Sequence, residues 1–533
     1  MRALALRVLA VVVASASAIF AVSTNVSCAA DPAPAVADAG ATMTIALLQS
    51  LNGTEQAIGI PLKQAAEVAQ RQINAGGGIL GQRVILDVKD NKSDVGVAQA
   101  NADAVLSSSS VIAIGPTASP EAVQMVPKLV AGHILTISST VVTSDLTNAE
   151  PPHNRFFFRT LPPADVHGRV AAVVMATPAA VGAPIAACKN VAVVQADDAY
   201  GNPYTEAFIT RYAELGGKVV VRVKIPTDQK GSYEAEIDQV IAAQPLADCV
   251  ALICYNGAGA GFMLDYRKKT ALDVSRDWTK VQVIGGNALY SQAFIDKATV
   301  DRSNPDSQSA SEGVYGILVD PAPETSEYTA FARMYRASAS ISPSETIPRN
   351  TANTYDALIL AALAIQKAGS TIDSVAIRNA LFDVSRGMKP GAPIYGPDQI
   401  PEALDALRRG LDIDYNGASG NVNFDDNGNV IADHTEAKHL LDLIRTGCRP
   451  HAEPVTEVTR VFNAATHEGA EMGKYSELLT AAIRSMIDVT EERDIDSLFS
   501  DGHTTALTQA IAGLDDFELT AFIAIVDTTE GTT

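Results

Sequence analysis

The stretch MTIALLQSLNGTEQAIGIPLKQAAEVAQRQINAGGGILGQRVILDVKD, residues 43–90, decides the fold. Its first six residues form a nearly unbroken apolar run, which suits a strand buried on both faces. Gly53 and Gly59 then mark a loop. Leu62, Ala65, Ala66, Ala69 and Ile73 recur at helical spacing and predict an amphipathic helix over 61–74. Gly76, Gly77 and Gly78 end that helix, as glycine does at helix C-termini, and 83–90 reads as the next strand. A strand, a helix and a strand joined by short loops make a parallel βαβ unit.

Working outward, the alternation continues. A helix is expected over 94–106, a strand over 111–115, a helix over 119–131 and a strand over 134–138. The pattern restarts after Arg159. Helices over 164–177, 203–215, 233–243 and 260–269 alternate with strands over 190–195, 218–224, 249–254 and 281–285. The fold class is therefore α/β: two doubly wound parallel-sheet units, each about one domain in size. Helices over 351–367 and 373–382 follow, then a loop-rich stretch to about 420. Residues 421–445 read as a hairpin, with DDNGN as its turn and a returning strand at KHLLDLI. Residues 455–533 differ in character and read as an acidic helical C-terminal extension.

Bulk properties bound the function. The chain has 533 residues and a formal net charge of −21. Such a surface repels phosphate backbones and anionic lipid heads, so nucleic acid is not an expected partner. Arg2 and Arg7 precede a charge-free run over 8–22, followed by Ser27, Cys28, Ala29 and Ala30. This reads as a signal peptide over 1–30, with a Pro/Ala-rich linker over 31–42. Cleavage after Ala29 or Ala30 would leave a soluble product. Lipidation at Cys28 is the alternative, although Asn25 stands where such a site normally carries Leu. Either route exports the chain to the periplasm or the outer face of the cell membrane.

In open parallel sheets, ligands bind beyond the carboxyl ends of the strands. Those loops are rich in hydroxyls here: Thr117 and Ser119 after one strand, Ser138, Ser139 and Thr140 after the next. Hydroxyls and free backbone N–H groups at helix starts suit a carboxylate, although Ser and Thr are also ordinary helix caps. Tyr200, Tyr255 and Asn287 occupy the equivalent places in the second unit, where a tyrosine can wall a pocket or simply anchor a loop. Other motifs fail on inspection. Gly257, Gly259 and Gly261 resemble a dinucleotide loop, but Phe262 stands where GxGxxG needs its last glycine. Residues 423–428 resemble a calcium loop, but His434 stands where a bidentate Glu is required. No nucleophile elbow, HExxH or P-loop occurs, so no enzyme activity, cofactor or metal is expected.

The order of motifs closely resembles the type I periplasmic binding proteins of the branched-chain amino acid (Leu/Ile/Val-binding) ABC transporter class. The segments are INAGGGILGQRV (73–84), IGPTAS (114–119), TISST (136–140), FFFRT (156–160), DDAYG (197–201), VIGGN (283–287), EGVYG (312–316), NTYDALILAALAI (353–365) and IDYNGASGNVNFDDNG (413–428). The resemblance implies a two-lobed flytrap with three chain crossovers. Lobe 1 would hold 43–157 and 317–422, and lobe 2 would hold 158–316 and 423–450. It implies a small polar, amino acid-like ligand handed to ABC transporter permease subunits. By position, Ser119, Ser138, Ser139 and Thr140 would bind the anionic end of that ligand, and Tyr200, Tyr255 and Asn287 would close from the other lobe. Asn287 stands where relatives carry the acid that pairs with the ligand ammonium, and an amide cannot neutralise a charge. A neutral amide, a carboxylate without an amine, and a ligand ammonium paired instead with Asp197 or Asp198 are all open. A ligand-sensing module of the same fold, signalling to a membrane or regulatory partner, is the second functional reading.

A disulfide between Cys188 and Cys249 is also expected. In a 2-1-3 strand order, the strands these residues open are direct neighbours and start at the same edge. Neighbouring strands lie about 4.8 Å apart, within the Cα reach of a disulfide. Cys254 ends its strand at the opposite edge and should not compete; Cys448 has no expected partner.

Overall fold

The computed structural model describes residues 41–430, apart from 148–154, 182, 228–230, 301–308, 318–324, 343–344 and 390. The expected signal peptide, Cys28, the C-terminal extension, Cys448 and the returning strand of the 421–445 hairpin lie outside the described residues.

The quoted stretch folds as read. Strand β1 (Thr42–Gln49) pairs in parallel with β2 (Arg83–Asp90) in one unbroken register, Thr42 opposite Arg83 and Gln49 opposite Asp90. Helix α1 (Gln56–Ala75) joins them and buries Leu62, Ala65, Ala66, Ala69 and Ile73. Then come α2 (Val95–Leu106), β3 (Ile112–Ile114), α3 (Ser119–Ala131), β4 (Leu135–Ser138) and β5 (Phe157–Arg159). The first sheet runs β2-β1-β3-β4-β5. Gly115, just past β3, has φ +121, and a Cβ there would fall 2.1 Å from the Leu48 carbonyl oxygen. Only glycine lets the loop after β3 sit that close to β1.

The second unit repeats this topology. It comprises α4 (Ala164–Ala176), β6 (Asn190–Ala196), α5 (Gly201–Glu214), β7 (Lys218–Ile225), α6 (Glu234–Ile241), β8 (Cys249–Ile253), α7 (Asn256–Thr270), β9 (Gln282–Gly285), α8 (Gln292–Lys297) and β10 (Val314–Gly316). Its sheet runs β10-β9-β8-β6-β7, again with every pairing parallel. Both sheets therefore have the doubly wound 2-1-3-4-5 order. Val191 lies opposite Cys249, and Cys188 is bonded to Cys249 with 5.8 Å between their Cα atoms. Cys254 is buried as a free thiol.

The chain then returns to the first unit through α9 (Ser326–Ala339), α10 (Thr351–Ala368), α11 (Ser374–Arg386), β11 (Ile394–Tyr395), α12 (Ile400–Arg408), β12 (Asp414–Gly417) and β13 (Gly420–Asn421). Helix α10 is buried along nearly its whole length, its polar Asn353, Thr354 and Asp356 included, so it is a core helix and not a surface one. Its one buried carboxylate, Asp356, accepts hydrogen bonds from the Tyr415 and Ser419 hydroxyls and from the Ala418 and Ser419 amides. That clasp ties the β12–β13 turn to α10, and burying the carboxylate without those donors would be costly.

Three expectations need correction. Helix α12 lies inside the stretch read as loop; its Pro401 sits in the helix's first turn, where proline is tolerated. The boundary at 157/158 cuts β5, which pairs with β4, so lobe 1 continues through Arg159. Finally, the described part of 423–450 packs with lobe 1, not lobe 2. Phe424 and Val430 are in its core, Phe424 meets Phe158 edge-on at 5.1 Å, and Asn429 bridges to Arg159. Among the described residues, the chain leaves the first lobe after Arg159 and is back in it at α9.

Candidate functional site

The carboxyl ends of β1, β3 and β4 lie along one edge of the first sheet. Thr117, in the loop after β3, organises that edge: its hydroxyl donates to Gln49 Oε1 (2.7 Å) and accepts from the Ser50 amide (2.9 Å). Behind it, Glu121 in the first turn of α3 receives Ser50 Oγ and Asn91 Nδ2, the latter at 2.9 Å. The Thr117 and Ala118 amides also reach the Glu121 carboxylate. Burial raises its pKa and these donors pull the other way. The N-terminus of α3, where an incoming anion would dock, thus already holds a carboxylate of the protein itself.

The predicted hydroxyls are brought together, but most face inward. Ser138 and Thr140 both donate to the Pro116 carbonyl, at 3.2 and 3.1 Å. Ser138 Oγ also accepts from the Val141 amide at 3.1 Å and is fully buried. Ser139 shares a hydrogen with Thr354 on α10 at 2.7 Å and is fully buried as well. Ser119 is the first residue of α3, and its Oγ accepts from the Thr143 amide at 3.4 Å. Ser138 and Ser139 therefore shape the loop and tie it to α10. Thr140, half-buried, is the most accessible of the four.

In the second lobe, the loops after β6, β8 and β9 converge. Tyr200 stacks at a tilt against Tyr255, with ring centroids 5.2 Å apart. The Tyr200 hydroxyl donates to Asn287 Oδ1 at 3.0 Å, and the Tyr255 hydroxyl donates to Asp198 Oδ2 at 2.8 Å. Asp198 Oδ1 accepts from the Tyr200 and Gly201 amides, so the same carboxylate caps α5. Burial pushes the Asp198 carboxyl up, against the pull of those hydrogen bonds. Both tyrosine hydroxyls are held well above their ordinary pKa, chiefly by burial, and stay protonated as donors. Asp197, the other acidic candidate, is exposed and paired with Lys224 at 2.7 Å.

The lobes meet around this cluster. The Glu55 carboxylate, in the loop after β1, acts on Tyr255 from the first lobe and raises its pKa further. Arg349, just before α10, donates to the Ala288 carbonyl beside Asn287 at 3.3 Å. At the first passage, Thr160 Oγ1 donates to the Asn353 carbonyl at 2.8 Å, and Asn353 Nδ2 donates back to the Thr160 carbonyl. Sequence reasoning did not single out Glu55, Glu121 or Arg349. Glu55 and Glu121 follow strand ends by the rule that found the others, but carboxylates in loops are too common to stand out. Cys188, Asp248 and Cys249 are the one group of three metal-ligand types brought together among the described residues. With the two sulfurs bonded to each other, that group keeps a single carboxylate.

Two doubly wound lobes thus carry polar loops at the carboxyl edges of their sheets, where the chain's contacts between them also fall. The periplasmic binding protein family model matches residues 42–402, and the chain belongs to that family. A substrate-binding protein of a chemotactic signal transduction system from Halobacterium salinarum is 26% identical over 72% of this chain and 84% of its own. A Leu/Ile/Val-binding protein from Rhizobium johnstonii is 26% identical over 65% of this chain and 84% of its own. The crystal structure of a branched-chain amino acid transporter substrate-binding protein from Streptococcus pneumoniae, in complex with isoleucine, superposes with a TM-score of 0.55. It shares 19% identity, with coverage of 73% of this chain and 93% of that one. Among the described residues, no helix is long and apolar enough to cross a membrane.

Proposed function

We propose that this chain is an exported solute-binding protein that captures a small polar solute, an amino acid or a relative of one, and passes it to the permease subunits of an ABC transporter. The observation that carries this reading is the convergence at Tyr255. Its hydroxyl is bonded to Asp198, its ring packs on Tyr200, and Glu55 acts on it from the opposite lobe. A ligand between the lobes would touch Ser119 and Thr140 on one side and Tyr200, Tyr255 and Asn287 on the other. Ser138 and Ser139 support that loop from behind. The function is reversible capture and not turnover, and export places it outside the cytoplasm, as a soluble protein or anchored through Cys28.

The relative from a chemotactic system supports a second reading, in which closure signals to a membrane partner. A thermal-shift screen of amino acids, amines, amides and small carboxylates, followed by calorimetry, tests the shared claim of solute binding. Reconstituted uptake with the cognate permease separates the two readings: ligand-dependent transport supports delivery, and binding without transport supports sensing.

A further inference from the structure

Two asparagines stand at the carboxyl ends of neighbouring strands of the second sheet, Asn256 after β8 and Asn287 after β9, where open parallel sheets take their ligands. Both are buried, at 2% and 5% exposure. A side-chain amide has an acceptor end and a donor end, and the bonds around it decide which end faces where. The Tyr200 hydroxyl oxygen takes the Ala288 amide, and its single hydrogen goes to Asn287 Oδ1 at 3.0 Å. A flipped Asn287 would set its NH2 group against that oxygen and leave the buried phenol hydrogen unspent, which is costly. The same arrangement recurs one strand over. Ser291 Oγ accepts from the Phe294 amide at 3.2 Å and gives its hydrogen to Asn256 Oδ1 at 2.7 Å. In each case a hydroxyl fixed by a backbone amide holds the asparagine's oxygen. Each NH2 group is left without a partner among the described residues, and neither nitrogen is sealed off from solvent.

The second lobe's own carboxylates at this edge are already engaged. Asp198 takes the Tyr200 and Gly201 amides and the Tyr255 hydroxyl, and Asp197 is paired with Lys224. Resting on the solute-binding reading above, we infer that the subsite at Asn287 takes a hydrogen-bond acceptor of the ligand and not an ammonium, so that the ligand class is a small 2-oxo acid and not the corresponding 2-amino acid. An ammonium there would set its N–H donors against those of the amide, a desolvated charge with no acceptor to meet it. A carbonyl oxygen in the same place receives a hydrogen from Asn287 Nδ2. Asn256, tied to the same loop through Ser291, supplies a second donor of the same polarity. A site that gives its hydrogens to a ligand oxygen discriminates strongly against an analogue that lacks it.

Calorimetry on the full chain with four matched pairs tests this: pyruvate and alanine, 4-methyl-2-oxopentanoate and leucine, phenylpyruvate and phenylalanine, 2-oxoglutarate and glutamate. At least one oxo acid should bind, and about tenfold or more tighter than its amino partner, the scale of one buried hydrogen bond lost. Asn287→Asp keeps the acceptor that Tyr200 needs and replaces the NH2 group by a carboxylate oxygen. It should weaken that oxo acid by about tenfold or more and shift the preference toward the amino acid. Its melting temperature is recorded, and the wild-type ratios carry the test if the variant does not fold. Failure of every oxo acid to gain that margin over its partner would overturn the inference; with an amino acid bound, the solute-binding reading still stands. An unchanged ratio in folded Asn287→Asp would overturn it as well. If none of these compounds binds, the inference also falls, and the wider thermal-shift screen decides the solute-binding reading.

Discussion

Tyr255 is the residue on which the second-lobe loops turn. It is half-buried, packs against Tyr200, and supplies one of three donors to Asp198. Tyr255→Phe keeps the ring and removes the donor, leaving a buried carboxylate short of a partner. The expected cost is about 1–3 kcal/mol in binding, roughly 5- to 150-fold in Kd, with little change in fold. Calorimetry showing the wild-type Kd would remove Tyr255 from the site. His167 on α4 makes a separate prediction. It is 1% exposed, and burial pushes its pKa down to about 4, with Arg349 and Arg159 adding to the shift. Unfolded histidine titrates near 6.5, so between these values the unfolded chain binds the extra proton. Its contribution is therefore intact above about 6.5 and is lost as pH falls toward 4, on the order of 3 kcal/mol in all. His167→Gln should flatten the fall in melting temperature between pH 7 and 4.5; identical slopes would show that the ring is charged in the folded protein.

Among the elements, β6 and β8 are joined by more than their ladder. The Cys188–Cys249 bond closes a loop of sequence separation 61 at the edge of the sheet away from the candidate site. On a loop-entropy basis, removing it costs about 4 kcal/mol. The double variant Cys188→Ala, Cys249→Ala should melt markedly lower yet bind with the same affinity, because the bond spans one lobe and not the hinge. An affinity loss equal to that of a site variant would mean that the second sheet relays strain to its carboxyl edge. The pairing was readable because two strand starts were visible and the doubly wound order makes them neighbours. Helix α12 was less readable, since its proline looks like a breaker until its place in the first turn is known.

For the whole molecule, the family match ends at residue 402, and the last described core residue is Val430. A chain ending at residue 452 is therefore expected to fold and to bind the same ligands as the full chain. Insoluble product, or lost binding with folding intact, would give the C-terminal extension a part in the lobes. Ligand should also make the molecule more compact if the lobes close on it, which small-angle scattering with and without ligand would show. An unchanged radius of gyration at saturating ligand would argue that capture occurs without closure.

The sequence by itself determined the doubly wound pattern, because apolar runs and helical spacing are local properties that survive without neighbours. It likewise determined which loops end strands, and so the candidates Ser119, Ser138, Ser139, Thr140, Tyr200, Tyr255 and Asn287. Only the tertiary structure decided which side chains are spent. Ser138 and Ser139 look like ligand hydroxyls in sequence, but Pro116 and Thr354 claim them once β3, β4 and α10 are assembled. Phe424 and Val430 fell to lobe 1 because the aromatic core around Phe158 had room for them, which no local pattern reports. Asp198, Glu55 and Glu121 show the same limit. A carboxylate's role depends on its burial and on which donors reach it, and residues far apart in the chain set both.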